Sequence, residues 1–349
     1  LRSRLKARDP ELARDLSQRA SSLLEARGET EAAVRASVTA DDPERAAHLI
    51  LRATIPLVAE GDGSCLDEWL DMLPPDAANA CPSAAAAQAW NCLARGDIQA
   101  MREAIRLARR TISTRACDDG SGDTTVALAT LEALAARDGL ERVVDDAEAA
   151  RSGGPPASNP WWGAATATQG AALILIGQVD LARQRFLEVL TAACGPWETS
   201  AASAYLALLE LDDGDACEAD RLARDAVAMT VAREAGDATL MAPAIPVAGL
   251  VAARSGQVEE ASQYLEQARE ALARPTYMPP PSSLLTHVVL AETALMTGHV
   301  EQAREHVAQA VTARTSCPTA VETGEHLDGL VERLRSGHRE LAHADPLTT

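Results

Sequence analysis

The side chains in this sequence that could carry chemistry are a few histidines and neighbouring acids. His299 and His306 lie seven residues apart with two glutamates between them, so a helix would place both histidines on one face. Seven residues of helix rise about 10 Å, which is too far for one metal ion unless another element supplies a ligand. The acids at 145–146 and 212–213 are adjacent, and neighbours on a helix point apart. We therefore interpret these residues as solvated helix surface.

Catalytic motifs are absent from the sequence. There is no Gly-x-Ser-x-Gly motif, no His-Glu-x-x-His motif and no cysteine with a plausible local histidine. Lys6 is the only lysine, so the chain has neither the phosphate-binding Gly-x4-Gly-Lys loop nor an obvious Schiff-base lysine. The sequence therefore predicts a binding protein rather than an enzyme, with no cofactor or metal in this segment.

Composition limits the partners and the compartment. The 349 residues carry a formal net charge of −19, and the sequence pI is about 4.8. A surface this acidic repels phosphate backbones, so we expect no nucleic-acid binding through this segment. The seven cysteines are scattered, odd in number and form no Cys-x-x-Cys, which favours reduced thiols in the cytoplasm. No apolar run is long enough to cross a bilayer, so no membrane partner is predicted.

A repeated six-residue segment organises the chain that must position these side chains. The segment at 177–182 (GQVDLA) returns at 256–261 (GQVEEA) and at 298–303 (GHVEQA), and looser copies begin at three other glycines. Self-similarity at such a period is the signature of a helical repeat array. The successive spacings of 43, 38, 37, 42 and 42 residues separate the six turn glycines, which are Gly96, Gly139, Gly177, Gly214, Gly256 and Gly298.

The residue types within each copy indicate an antiparallel helix pair. Glycine supplies the left-handed backbone that ends a first helix, and an acid then lies in the first turn of a second helix. The alanine five residues after the glycine faces a small residue seven before it, namely Ala89, Gly170, Ala207, Gly249 or Ala291. These spacings resemble the tetratricopeptide repeat, whose large packing position Phe186 occupies. The predicted fold is all-α, a tetratricopeptide-like right-handed superhelix of antiparallel helix pairs.

Such arrays turn their first helices inward, which predicts a concave groove. In the tetratricopeptide pattern the groove positions lie ten, six, three and two residues before the turn glycine, and one of them is Asp212. Arg254 and Glu292 could bracket a polar ligand or could form an ion pair between repeats. Aromatic residues between 161 and 277 could form a wall of the groove or pack in the core. The predicted ligand-binding residues are Trp161, Trp162, Leu175, Trp197, Tyr205, Arg254, Tyr277, His287 and Glu292.

The first 75 residues carry a second pattern, a capped helix start followed by two alanine-rich turns and a Trp-Leu-Asp-x-Leu-Pro segment. In this order the pattern resembles the large, ATP-binding MalT-type regulators of the LuxR superfamily. There it bridges a nucleotide-binding module to a tetratricopeptide-like superhelix. The matching residues are Asp9, Pro10, Glu11, Leu12, Gly28, Ala32, Ala46, Ala47, Trp69, Leu70, Leu73 and Pro74.

The resemblance implies three parts of a longer protein. Residues 1–75 are expected to be a helical linker that leads out of a nucleotide-binding module, for which ATP is the expected cofactor. Residues 76–335 are expected to form the superhelical sensor domain. Residues 336–349 are expected to be a linker, and the Pro-Leu-Thr near their end resembles the threshold of the family's DNA-binding helix-turn-helix. Both flanking modules would then lie outside this chain.

The function that the resemblance implies is effector sensing in a transcriptional regulator. A small-molecule inducer in the groove would control DNA binding by the intact protein. Because few polar residues line the inferred groove, an apolar ligand fits Trp161, Trp162 and Leu175 better than an oligosaccharide does. The alternative is a tetratricopeptide scaffold that binds a partner protein or peptide, or that self-associates. Few cationic groove residues besides Arg254 are found, which disfavours a scaffold that grips a peptide carboxylate.

Overall fold

The computed structural model describes residues 5, 7–60, 63–114, 121–136, 138–156, 158–192, 194–231, 243–273 and 278–343. All regular elements among these residues are α-helices. The chain divides into two compact units, of which the first comprises residues 1–131 and 152–161 and the second residues 132–151 and 162–349. The boundary that the sequence suggests between residues 75 and 76 lies inside the first unit.

The described residues of the first unit form a series of helices, the last of which continues into the second unit. They are α1 (Pro10–Ala26), α2 (Thr30–Thr39), α3 (Pro43–Glu60), α4 (Gly63–Asp71), α5 (Ala77–Ala80), α6 (Pro82–Ala94), α7 (Ile98–Thr114) and α8 (Ser121–Ala135). α8 begins at Ser121, within a polar glycine-rich segment of the sequence.

The second unit contains the end of α8 and the remaining helices. These are α9 (Leu140–Arg151), α10 (Trp162–Leu175), α11 (Val179–Thr191), α12 (Pro196–Asp213), α13 (Ala216–Val231), α14 (Ala244–Arg254), α15 (Val258–Leu272), α16 (Pro280–Met296), α17 (Val300–Arg314) and α18 (Val321–His343). None of the helices described is long and apolar enough to span a bilayer.

The predicted turns are present in every repeat. All six turn glycines have positive φ angles, between 72° and 95°. Asp41, which takes the glycine place in an N-terminal turn, also has a left-handed backbone, with φ of 60°. After two of the glycines the next residue caps the second helix, because Asp97 and Asp215 accept hydrogen bonds of 3.0 Å from the backbone N–H three residues later. These caps and turns fix where each second helix begins.

Small residues meet where the two helices of a pair cross. The alanines five residues after the last four turn glycines are fully buried, as are Ala89, Ala207 and Ala291 on the first helices. Gly170 is the tightest of these contacts, because a Cβ atom placed there would lie 2.5 Å from Cζ of Phe186. Phe186 is fully buried and stacks on Tyr205 with ring centres 5.3 Å apart. The only phenylalanine thus fills the space that a glycine leaves open.

First and second helices of the second unit differ in burial. In α10, 13 of 14 residues are buried, whereas α11 buries only three of 13. The sequence explains the difference, since α10 contains no charged residue and α11 has a polar side that faces solvent. A helix that is apolar all round must be covered on all sides. The first helices therefore form the core of this unit.

The cover is supplied by other first helices. α10 contacts α12, α12 contacts α14, α14 contacts α16, and α16 contacts α10 again. α18 packs against α10, α16 and α17. At the same closure, the Thr319 hydroxyl donates a 3.1 Å hydrogen bond to Glu141, although the two residues are 178 positions apart in the chain. Contacts among the first helices thus close on themselves, and their own side chains fill most of the interior that the sequence assigned to a groove.

Candidate functional site

A small cavity remains where the first helices of the second unit meet. Its volume is about 30 Å³, which is room for about two water molecules and far below the roughly 300–1,000 Å³ of small-molecule sites. Met278 and Ser282, which line the cavity, are half-buried. Among the described residues, those that line it carry no charge, and they are Leu134, Ala167, Thr168, Trp197, Ala201, Tyr205, Pro243, Met278, Pro279 and Ser282.

Two side chains of this cavity have polar atoms without hydrogen-bond partners. Trp197 is 5% exposed and Tyr205 is 2% exposed, yet neither the indole N–H nor the phenol oxygen is bonded in ordinary geometry. Burial raises the pKa of Tyr205 to about 12, and the Ser282 hydroxyl only partly offsets this. Leaving a buried polar group unsatisfied costs about 1–3 kcal/mol. An occupant that can hydrogen-bond would remove this cost.

The cavity lies near the N-terminal ends of three first helices. Trp197 is the second residue of α12, Pro243 is the N-cap of α14, and Ser282 is the third residue of α16. Helix N-termini carry partial positive charge and favour electron-rich groups. Together with the indole N–H, they make this cavity a place for a hydrogen-bond acceptor.

A charged network surrounds Arg151, the last residue of α9. Its guanidinium donates to Thr166 at 3.0 Å, to Glu148 at 2.8 Å and to Glu188 at 2.5 Å, and it lies over the ring of Trp162. The Arg151 side chain is only 11% exposed. A hydrogen bond from the Gln169 amide, helped by the guanidinium, holds the pKa of Glu148 below its ordinary value. With charges this well paired, the network ties α9, α10 and α11 together.

Arg254 and Glu292 form an ion pair of 3.0 Å between α14 and α16. Arg254 also reaches Asp212 at 3.1 Å, and His326 contacts the other oxygen of Glu292 at 3.1 Å. Burial alone would raise the pKa of Glu292, but the bond to His326 and the Arg254 guanidinium outweigh it and lower the pKa. Of the two alternatives left open by the sequence, the structure contains the ion pair.

His287 of α16 and His306 of α17 make a close pair. Their Nδ1 atoms are 3.3 Å apart and their ring centres 5.4 Å, so the two nitrogen atoms face each other. One ring must carry the shared proton, and a second proton would set two N–H groups against each other. Burial, followed by the charge of His306, lowers the pKa of His287 to about 4. His299 is not part of this pair and instead contacts Thr297.

Glu198 is a buried carboxyl group that the sequence analysis did not single out. It is 2% exposed, and its Oε2 atom has no hydrogen-bond partner. Burial raises its pKa to about 7, while its own backbone N–H counteracts part of the shift. The carboxyl group fits only because Gly163 and Gly195 lack side chains, since a Cβ at Gly195 would lie 2.5 Å from Oε2.

In the first unit, the polar contact at Asp123 was also not anticipated. Arg52 donates to this carboxylate at 2.5 Å, and His48 lies 3.5 Å from it. Burial lowers the pKa of His48, although the charge of Asp123 works in the opposite direction. Among the residues described, no three His, Cys, Asp or Glu side chains come together as metal ligands.

The predicted ligand-binding residues fall into separate places. Only Trp197 and Tyr205 share the cavity. Leu175 and Trp161 are fully buried, and Tyr277 lies outside the described residues. The remaining four take part in the Arg151 network, the Arg254 ion pair or the histidine pair, and they are Trp162, Arg254, Glu292 and His287. Buried polar atoms without hydrogen-bond partners, and the contact of α16 with α10, arise from tertiary packing. No local pattern in the sequence could therefore have divided the predicted residues among these places.

No family model matches the chain, and no curated protein matches its sequence. Among solved structures, the chain is similar to a Rap protein complexed with Competence and Sporulation Factor, with a TM-score of 0.55 and 10% identity, over 93% of this chain and 98% of that chain. It is also similar to the APC/C hetero-tetramer Cut9–Hcn1, with a TM-score of 0.50 and 13% identity, over 93% of this chain and 60% of that chain.

Both similar structures are tetratricopeptide-like helical repeat proteins. At such low identity the likeness concerns the fold alone, and it confirms the predicted all-α, tetratricopeptide-like superhelical class. The resemblance to MalT-type regulators receives no support from either structure and stays a prediction.

Proposed function

We propose that this chain is a protein-interaction module that binds a segment of a partner protein or a peptide. The observation that carries the proposal is the cavity beside Trp197 and Tyr205. It has unsatisfied hydrogen-bonding groups, yet its 30 Å³ admits only a group about the size of two water molecules. An occupant of that size binds usefully only as one group on a larger ligand that covers the surrounding surface.

The similar structures support this reading in a general way. One is a complex with a second component, and the other is a hetero-tetramer. The charge of this chain adds a constraint on the partner. With 51 acidic and 32 basic residues, the surface attracts segments that carry Lys or Arg next to the inserted group.

The finer proposal is that the module senses an effector within a MalT-type LuxR-family transcriptional regulator, with ATP bound by another module. It rests on the order of the N-terminal motif residues. Asp9 caps α1 by accepting a 3.0 Å bond from the Leu12 N–H, and Trp69 and Leu73 are buried. A metabolite effector would have to open the closed first helices, because 30 Å³ does not hold a sugar.

The test is a selection of random displayed peptides on the full chain, run beside a thermal-shift screen of metabolites. We expect peptides that bind in the micromolar range and still bind at 0.5 M salt, where purely ionic attraction is screened. A metabolite at about 100 times its Kd would add about 2.7 kcal/mol of stability. Metabolite hits without any enriched peptide would contradict the interaction module and favour the sensor.

A further inference from the structure

The histidine pair of α16 and α17 has the spacing of two ligands on one metal ion. The Nδ1 atoms of His287 and His306 are 3.3 Å apart, which is longer than the roughly 2.9–3.0 Å typical of a hydrogen bond from nitrogen. In a tetrahedral site with zinc–nitrogen bonds of about 2.0–2.1 Å, two nitrogen ligands lie about 3.3 Å apart and their ring centres about 5.2 Å apart. The observed ring centres are 5.4 Å apart. The two rings therefore need to move little to bind such an ion.

The same distance discriminates between metal geometries. Adjacent ligands in a square-planar site with bonds of about 2.0 Å lie only about 2.8 Å apart, and those in an octahedral site about 3.0 Å apart. The pair therefore fits the tetrahedral preference of Zn²⁺ better than the tetragonal preference of Cu²⁺. Beside His306, the second element that one metal ion requires is α16, since His299 is bonded to Thr297 instead.

The protonation state and the surroundings of the pair suit a cation. Burial lowers the pKa of both histidines, to about 4 for His287, so both rings are neutral at pH 7, as metal ligands must be. Metal binding then requires only that one ring carry its hydrogen on Nε2 rather than on Nδ1, which leaves the charge of the pair unchanged. The carboxylate of Glu305 acts on His306 in the direction that favours positive charge.

An oxygen ligand is present one helical turn from His306. Gln302 precedes His306 by four residues, so the two side chains lie on the same face of α17. The Oε1 atom of Gln302 is buried and has no hydrogen-bond partner. Such an atom is costly unless a donor or a cation meets it. Two nitrogen atoms, this oxygen and one water molecule make up the four ligands of a tetrahedral ion.

We propose that His287, His306 and the amide oxygen of Gln302 form a Zn²⁺ site that joins α16 to α17. The two histidines do not line the cavity beside Trp197, and the site goes beyond the proposed function and does not depend on it. Without metal, the two rings share one hydrogen atom between their Nδ1 atoms. Because the ion contacts both helices of the Gly298 repeat, its binding should stabilise the folded chain.

The experiment titrates Zn²⁺ into the full chain, reduced and freed of metal with EDTA, and follows binding by calorimetry and stability by thermal unfolding. We expect one ion per chain at this site, with a Kd in the micromolar range, and a higher Tm at saturation. His287→Gln and His306→Gln should each weaken this binding at least about tenfold, because even the loss of a partner of a zinc ligand has an effect of that size. His299→Gln is the matched control, since His299 precedes α17 but lies outside the pair.

Co²⁺ tests the geometry, because a tetrahedral Co²⁺ ion absorbs visible light much more strongly than an octahedral one. Strong absorption in the parent and in His299→Gln, lost in both variants of the pair, supports the site. Absence of Zn²⁺ binding at submillimolar concentration overturns it, and so does equal binding by the parent and both variants of the pair. Parental affinity in Gln302→Leu would overturn the assignment of Gln302 as third ligand. If one histidine variant does not fold, as judged by circular dichroism, the other one decides.

Discussion

The Gly177 repeat (α10 and α11) and the Gly298 repeat (α16 and α17) have the same backbone plan and different interiors. In both, a left-handed glycine separates the helices and an alanine five residues later is fully buried. Seven before and nine after the glycine, the first repeat has Gly170 with Phe186, while the second has alanine with valine. The repeat thus fixes where the two helices of a pair cross. It does not fix how the side-chain volume at the crossing is shared between the two helices.

Chemistry at other equivalent positions differs as well. Eleven before and eight after the glycine, the Gly177 repeat has Thr166 and Arg185, which join the charged network around Arg151. The Gly298 repeat has His287 and His306 there, paired with each other and poor in charge. The same two positions therefore belong to a charged network in the Gly177 repeat and form a neutral histidine pair in the Gly298 repeat.

The largest expected effect comes from exchanging the packing plan. Gly170→Ala places a methyl group against the Phe186 ring and should lower the free energy of unfolding by about 3 kcal/mol, as overpacking does. Adding Phe186→Val copies the alanine–valine pair of the Gly298 repeat, so the double variant should lose less than the two single losses added together. Urea denaturation measures both. Additive losses of unfolding free energy would show that residues 170 and 186 are not coupled, and that the packing of the Gly298 repeat cannot be transferred to the Gly177 repeat.

A buried acid of α12 that packs against the Gly177 repeat gives this region one direction of pH dependence. Glu198 packs against Gly163 of α10, and its pKa is about 7 in the folded chain against 4.5 in the unfolded one. Its contribution is therefore fully present below pH 4.5 and is lost as the pH rises through 7. We expect Glu198→Gln to be more stable than the parent by about 2–3 kcal/mol at pH 8 and equal to it near pH 4.5. Equal unfolding free energies at pH 8 would contradict the burial described.

Removing the centre of the charged network should cost about 2–3 kcal/mol, because Arg151→Met removes the bond to Gln169 Oε1 and the ion pair with Glu188, which keeps only Arg185 and Gln184 as partners. Arg335→Met is the matched control, since its ion pair with Glu332 is 68% exposed on both sides and should contribute less than about 0.5 kcal/mol. Unfolding in urea at pH 7 compares the two. Equal losses would mean that the network is as well solvated as a surface pair.

The histidine pair gives the Gly298 repeat the opposite pH dependence. The pKa of His287 is lowered from 6.5 to about 4, so the unfolded chain binds the proton more tightly. Stability should fall by about 2 kcal/mol as the pH drops from 6.5 to 4, after allowance for partial exposure. In His287→Gln this part of the pH dependence should vanish, so the difference between the two proteins isolates it from carboxylate titration. Parallel pH profiles would contradict the pairing.

The smallest effect concerns the cavity that both repeats help to line. If water fills it, Tyr205→Phe should destabilise the free protein by about 1 kcal/mol through a lost hydrogen bond. If it is dry, the same change should stabilise the protein slightly, because an unsatisfied hydroxyl is removed. Because the cavity has room for water, we expect Tyr205→Phe to destabilise the protein. Thermal unfolding at pH 7 measures the change.

Much of the fold follows from local sequence, and the reasons are visible in particular residues. The turn glycines, the alanine after each and the place of Phe186 are set by contacts within one helix pair. The closure of α16 onto α10 is not local, because it depends on a small rotation accumulated over three repeats. For that reason the sequence predicted an open groove near Leu175, which is fully buried.

The candidate site likewise has some features that follow from local sequence and others that depend on tertiary contacts. Trp197 and Tyr205 were predicted from aromatic clustering, and they do meet in one cavity. Arg151 and Glu198 could not be found in this way, because they lie outside the groove positions of the repeat and their importance comes from burial by other helices. Whether any of these residues binds a ligand stays a prediction.

The central claim is that the chain from α9 to α18 returns on itself, and one cross-linking measurement tests it directly. Thr319 contacts Glu141 at 3.1 Å, both are exposed, and the chain has only one natural lysine, Lys6. In Thr319→Lys, a zero-length carbodiimide reaction followed by peptide mass spectrometry should find an amide between residues 319 and 141, and the link should be absent when Glu141 is also changed to Gln. Links only to acids near residue 319 in sequence, such as Glu325, would show that the first helices do not close.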